Sequence, residues 1–242
     1  MHLIEARDIK KTYAQTIAIG GVSLTIAHDE FVTIMGPSGS GKSSLLYALS
    51  GLEAIDQGEI RFEGQVLSDL TKEALAGLRR SAMGFVFQQP TLLSNLSLKD
   101  NIVLPALKAG RLRRSDVNQR AEELMKQVGI TELSDRTITE VSGGQLQRAG
   151  ICRALINQPK ILFGDEPTGA LNSQTTEEIL SLLQAIHQQG TAVLLVSHDP
   201  VVAAHSQRVI FMIDGRIADE MRLDEVSNRL AAIKQHMSRL GI

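Results

Sequence analysis

Two short runs of residues carry groups at spacings that could do chemistry. In the first, Gly36-Pro37-Ser38-Gly39-Ser40-Gly41-Lys42-Ser43 fits the pattern G-x-x-x-x-G-K-[ST]. It follows an apolar run, Phe31-Val32-Thr33-Ile34-Met35, and leads through Ser43 and Ser44 into a helix-like run ending at Leu49. In that setting the pattern has a mechanism. The glycines let the backbone curl until successive N–H groups point inward at phosphate oxygens. The start of the helix adds partial positive charge. Lys42 supplies a full charge for the β- and γ-phosphates, and Ser43 offers a hydroxyl to Mg²⁺. In the second run, Ile161-Leu162-Phe163-Gly164-Asp165-Glu166, an apolar strand pattern ends in two acids. Strand ends in parallel sheets open onto the crevice where ligands bind. There Asp165 would hold Mg²⁺, and Glu166 would accept a proton from an attacking water or orient it. Adjacent strand residues point to opposite sides, so one ligand can engage both only if the strand end splays.

Elements must position these groups, and the chain supplies them. Leu3–Ile9 and Val22–Ile26 alternate apolar and polar residues, as a half-exposed antiparallel sheet would. Residues 54–70 return to short strands and turns. From about residue 90 to 155 the character changes to Leu, Arg, Gln and Glu at helical spacing, with Val117, Ala121, Leu124 and Val128 on one face. Two compact apolar segments, Ile161-Leu162-Phe163 and Ala192–Val196, flank a helix-like run from Thr176 to Gln188, which is a βαβ pattern. The expected fold class is therefore α/β. It has a phosphate-loop core with a parallel sheet, an N-terminal antiparallel β subdomain and an inserted helical subdomain at about 90–155. Residues 1–218 read as one domain, and 219–242 as a C-terminal amphipathic helix carrying Val226, Leu230, Ile233, Met237 and Leu240.

Composition narrows the classes. The 242 residues carry 25 Lys plus Arg against 27 Asp plus Glu, so a generally basic nucleic-acid binder is not expected. No apolar run is long enough to cross a bilayer. The single cysteine, Cys152, excludes an internal disulfide and reads as a small buried hydrophobe. Nothing at the start has the layout of a secretory signal, so the cytoplasm is the default compartment.

At Val141-Ser142-Gly143-Gly144-Gln145-Leu146-Gln147-Arg148, upstream of the acidic pair, the chain resembles the signature motif of ABC (ATP-binding cassette) ATPases. The likeness runs from Tyr13 to about Gly215. It implies that ATP and Mg²⁺ are bound, with Gly36, Pro37, Ser38, Gly39, Ser40, Gly41, Lys42, Ser43 and Ser44 around the phosphates and Tyr13 stacked on adenine. Ser43, Asp165 and Gln88 are the implied metal ligands. Glu166, His198, Lys42 and Gln88 are the implied catalytic groups, Gln88 closing the run Phe85-Val86-Phe87-Gln88 and His198 following Val193–Ser197. Gln88 is preferred over Gln89 because it directly follows the apolar strand.

The resemblance also implies a homodimer. ATP on one chain would meet Ser142, Gly143, Gly144 and Gln145 of a second, and hydrolysis would let the pair part. A separate membrane permease would convert that motion, holding the chain on the inner face of the cell membrane. The runs Gly84–Gln88, Leu98–Pro105 and Gly164–Gly169 look like the branch of lipoprotein-release, macrolide-export and bacitracin-type peptide exporters. Residues 90–103 are then the expected docking surface, with Leu92, Leu93 and Leu96 either in it or in the core. One departure stands out: the loop after Gly169 ends in Asn172, where the family usually has Asp. Lys108, Arg111, Arg113 and Arg114 form a basic cluster that reads as a solvated helix start. The alternative reading is a soluble ABC ATPase acting on nucleic acid or the ribosome, a class that normally carries two cassettes or a long coiled insertion.

Overall fold

The computed structural model describes residues 2–242. Period-two alternation builds the first layer. Strands β1 (His2–Tyr13) and β2 (Thr16–Ala27) form a long antiparallel ribbon, and β4 (Gln57–Phe62) and β5 (Gln65–Val66) extend it to the order β2-β1-β4-β5. Its inward residues, among them Leu3, Ile4, Ile9, Val22, Ile26, Ile60 and Phe62, are buried.

The second sheet is mixed, in the order β10-β9-β3-β8-β7-β6. It comprises β3 (Phe31–Met35), β6 (Met83–Phe87), β7 (Ile161–Asp165), β8 (Ala192–Val196), β9 (Arg208–Ile213) and β10 (Arg216–Arg222). From β9 to β6 the strands run parallel. They are mainly apolar because both faces are covered, with Thr33, Asp165 and Arg208 as the polar exceptions. Val32, Ile34, Ile161, Phe163, Leu194 and Val196 face α1 (Lys42–Leu49) and the antiparallel sheet. Phe31, Leu162, Val193 and Leu195 face the opposite way, into a second core shared with α3 (Leu98–Ala109), α4 (Arg114–Gln127), α5 (Gly143–Leu155) and α6 (Ser173–Gln188). The periodic face of α4 lies in this core: Val117 and Ala121 are fully buried, and Leu124 and Val128 nearly so. Helix α2 (Lys72–Ala82) leads into β6, and α7 (Pro200–Ala203) follows β8.

The C-terminal segment needs a correction. No helix starts at residue 219: Asp219–Arg222 complete β10, which pairs antiparallel with β9 across the Asp214-Gly215 turn. Exposure alternates along β10 residue by residue, a strand period and not a helical one. Helix α8 begins only at Arg229, where the Asn228 side chain accepts from the Ala231 N–H. It packs on its own chain, with Ile233 buried beside Met35, Val209, Phe211 and Leu223. Leu92 is core, whereas Leu93 is exposed. Cys152 is fully buried, and burial pushes its thiol up to about 12. Among the described residues no helix is long and apolar enough to cross a membrane.

Candidate nucleotide site

Four adjacent strands, β3, β8, β7 and β6, deliver the candidate groups at their carboxyl ends. After β3 the chain forms the glycine-rich loop. Gly41 caps α1 at φ +95°, and a Cβ there would stand 2.1 Å from the Ala18 carbonyl oxygen, so only glycine fits. A Cβ on Gly36 would meet the Met212 carbonyl at the same distance. The loop is tied down by Ser40 N–H to the Pro37 carbonyl and by Gly215 N–H to the Ser40 carbonyl. No side chain caps α1, so its first N–H groups face the loop's hollow. Ser40 Oγ is buried without a hydrogen-bond partner beside Gly36, where a Cβ on Gly36 would stand 2.7 Å from it. Lys42 is buried and folds over the loop, its Nζ donating to the carbonyls of Gly36 (2.9 Å) and Pro37 (2.8 Å). Burial holds its pKa below the ordinary lysine value, and the charges of Glu166 and Asp165 partly restore it. An ammonium among neutral carbonyls and open helix N–H groups make a cradle for a polyanion.

Helix α1 also reaches past β8 to the end of β7. Ser43 Oγ donates to Asp165 Oδ1 at 2.8 Å, and Tyr47 Oη donates to Asp165 Oδ2 at 2.6 Å. Burial first, and then the bond to Asp165, push the Tyr47 phenol well above its usual range. A hydroxyl and a carboxylate beside a phosphate cradle are hard oxygen donors of the kind Mg²⁺ takes, so these residues fit that ion.

Glu166 resolves the alternation problem. Its backbone is left-handed, at φ +48°, which is uncommon outside glycine. That turn breaks the strand pleat and sends its carboxylate towards β8 while Asp165 faces α1. The conformation is held by Glu166 N–H to the Val196 carbonyl and by Gly169 N–H to the Glu166 carbonyl, both at 3.0 Å. His198 Nδ1 lies 2.8 Å from Glu166 Oε1, and Ser197 Oγ donates to Oε2 at 3.3 Å. Glu166 is largely shielded, whereas His198 is two-thirds exposed.

Gln88, exposed at the end of β6, lies with its side chain against Gly169 in the loop after Glu166. Buried Gln147 of α5 ties that region together, its Nε2 donating to the carbonyls of Phe87 (3.0 Å) and Pro167 (2.6 Å). Tyr13, part-exposed at the end of β1, donates its hydroxyl to Glu53, with Lys11 Nζ 5.4 Å from the ring centroid.

The signature residues sit elsewhere. Ser142 and Gly143 are exposed at the start of α5. Ser142 Oγ accepts from the Gln145 N–H, and Gln145 Oε1 accepts from the Ser142 N–H, a capping box that commits the Gln145 carbonyl to the helix start. Among the described residues no hydrogen bond joins residues 142–145 to residues 36–44. Gly144 packs closely on Thr175 of α6, and Asn172 caps that helix by accepting from the Thr175 N–H at 2.9 Å. Asn and Asp are comparable N-caps, so the departure at Asn172 keeps the helix start. Asn172→Asp is accordingly expected to leave thermal stability nearly unchanged, and Asn172→Ala to cost about 1 kcal/mol, measured by denaturant unfolding.

Residues 47 and 53 do not stand out in the sequence as site residues, and Gln147 and Ser197 lie inside the motif runs quoted above without a role of their own there. Gln145 does carry a readable signal, because Ser-x-x-Gln before a helix is a capping box.

Residues 19–169 match the ABC transporter family. The macrolide export ATP-binding/permease protein MacB of Chlorobium luteolum is 43% identical over 228 residues, covering 93% of this chain and 34% of that protein. The chain thus spans about a third of the length of the MacB relatives. The bacitracin export ATP-binding protein BceA of Halalkalibacterium halodurans is 37% identical over 247 residues, covering all of this chain and 97% of that one. Among solved structures, the dimeric post-hydrolysis state of the ATP-binding cassette MJ0796 bound to ADP and Pi superposes with a TM-score of 0.85 at 36% identity, covering 91% of this chain and 98% of that one.

Proposed function

The chain belongs to the ABC transporter family, and from that premise we propose that it binds and hydrolyses ATP to drive a separate membrane permease. The observation that carries this reading is the convergence of Lys42, Ser43, Asp165, Glu166 and His198 at the ends of three adjacent strands. Residues 36–44 would take the phosphates, with Lys42 leaving its two carbonyls for the β- and γ-oxygens. Tyr13, its hydroxyl bonded to Glu53 and one ring face near Lys11, would offer its other face to adenine. Ser43, Asp165 and Gln88 would hold Mg²⁺, whose charge when bound offsets that of the phosphate oxygens. Glu166 accepts the proton of the attacking water, and His198 keeps the Glu166 carboxylate in place while facing the γ-phosphate.

Among the described residues the exposed N-terminus of α5 makes no hydrogen bond to the phosphate loop of its own chain. A second copy supplies one: Ser142, Gly143 and Gly144 present a hydroxyl and helix N–H groups to the nucleotide of the facing chain, and Gln145 keeps that helix start formed. ATP then joins two copies, and its cleavage loosens them. The relatives named for macrolide and bacitracin export support an exporter or mechanical-transmission system, with the chain peripheral on the inner face of the cell membrane through its permease. We assign the ATPase unit to residues 1–222, extending the expected boundary to the end of β10.

The test is phosphate release from Mg-ATP without a phosphorylated acceptor, together with co-purification of a membrane protein from native membranes. Failure of the first removes the enzyme, and failure of the second removes the permease. Within that assay Ser142→Gly is informative, since glycine caps a helix nearly as well as serine but lacks the hydroxyl. ATP affinity should hold within about 2-fold while turnover falls roughly 10- to 100-fold, the worth of one hydrogen bond to a charged group. Unchanged turnover would remove Ser142 from the facing site.

A further inference from the structure

Ser43 and Tyr47 are four residues apart on α1, so their side chains rise from the same face, one turn apart. Both hydroxyls end on one carboxylate: Ser43 on Asp165 Oδ1 at 2.8 Å, and Tyr47 on Oδ2 at 2.6 Å. The two bonds differ in kind. Ser43 is itself a candidate metal ligand, and by giving its proton to Asp165 it keeps its lone pairs for a cation. Tyr47 has no such second duty. Its oxygen is part-buried against Asp165, and the rest of its ring lines a shallow hollow with Leu52, Glu53 and Phe87, away from the phosphate loop. The Tyr47 backbone is fixed as well, its carbonyl accepting from Ser50 Oγ and from the Glu53 N–H.

We propose that Tyr47 is a positioning residue for the divalent cation: its hydroxyl grips Asp165 Oδ2 and presets the carboxylate, so that a nucleotide-bound Mg²⁺ meets Asp165 already oriented. The proposal rests on the ATP-binding reading above. The physical reason is pre-organisation. A carboxylate held at one oxygen can swing about its χ angles, whereas one held at both by a single helix cannot, and the cost of ordering it is met on folding and not on metal binding. Hydrogen-bond partners of ligating groups typically change metal affinity 10- to 100-fold. Tyr47→Phe removes one oxygen atom, keeps the ring and leaves Ser43 in place.

The experiment titrates a fluorescent ATP analogue into the full chain at a series of Mg²⁺ concentrations and again in EDTA, for the parent and for Tyr47→Phe. The expected result is a rise of about 10-fold in the Mg²⁺ concentration that half-saturates the metal-dependent binding, with affinity in EDTA changed less than 2-fold. A variant carrying 4-aminophenylalanine at position 47 retains a donor at the same place and should recover most of the loss. A simple packing role would move the thermal midpoint and the EDTA affinity together and would not be recovered by an N–H donor. A half-saturating Mg²⁺ concentration unchanged within 2-fold, or lowered, overturns the proposal while leaving ATP binding intact. If the parent binds no nucleotide under any condition, the underlying reading has failed instead.

Discussion

Glu166→Gln should slow ATP turnover by about 10²- to 10⁴-fold while the nucleotide stays bound, because that is the usual contribution of a positioned general base. The substitution keeps the length and planarity of the side chain and removes its capacity to take a proton. The surrounding geometry makes it a clean test. Glu166 does not hold the phosphate loop: its hydrogen-bond partners are Ser197 and His198 of the β8 end, and its backbone is fixed by Val196 and Gly169. The left-handed φ is a property of the main chain, and glutamine meets the same strain there as glutamate. Binding and fold should therefore survive while chemistry fails. Single-turnover phosphate release separates the steps, and size-exclusion chromatography in saturating Mg-ATP should show the stalled protein shifted to the size of two chains. A Glu166→Gln protein that releases phosphate within 3-fold of its parent would take the general base away from this residue.

What the sequence disclosed about this site divides along a physical line. Features with a local code were readable. The loop at residues 36–43 needs glycine where φ is positive and where carbonyls crowd, and glycine is visible in a sequence. The buried strands β3, β7 and β8 place apolar residues on both faces, so their length and placement were legible. Glu166 is the opposite case. A non-glycine residue in a left-handed turn leaves no trace in residue type, so the sequence posed the question of how Asp165 and Glu166 could serve one ligand without answering it. Gln147 is similar: its two acceptors, Phe87 and Pro167, are backbone carbonyls, which carry no side-chain signature and lie 60 and 20 residues away. The hairpin before the C-terminal helix does leave a local signal. Asp214-Gly215 is a two-residue hairpin signal, and Asp214 and Gly215 both adopt positive φ, as such a turn requires. The apolar residues at helical spacing downstream outweighed it because Val226, in the loop before α8, falls by chance on the four-and-three spacing of Leu230, Ile233, Met237 and Leu240.

Lys42→Ala should separate binding from stability in opposite directions. With nucleotide, the variant loses charge-assisted hydrogen bonds to phosphate oxygens, each worth about 1.5–3 kcal/mol, so ATP affinity should fall at least 10- to 100-fold and turnover with it. Without nucleotide the argument reverses. Lys42 is buried, and its Nζ bonds only to the neutral carbonyls of Gly36 and Pro37, so burial depresses its pKa. A depressed lysine pKa means that the unfolded chain binds the proton more tightly than the folded one. In the parent this group therefore destabilises the nucleotide-free fold while it is charged, and stability is regained as pH rises from the depressed value towards the ordinary lysine value. Alanine removes both the penalty and its pH dependence. Denaturant unfolding of the nucleotide-free proteins should then find Lys42→Ala as stable as the parent or more so near neutral pH, with the difference shrinking in alkali. In the parent, ATP affinity should weaken as pH climbs through the same range, because the deprotonated amine offers phosphate no charge. Calorimetric titration of ATP against both proteins checks the binding half. A variant that binds ATP as tightly as its parent would mean that the ammonium over the loop is structural, and the cradle would have to hold its anion by backbone N–H groups alone.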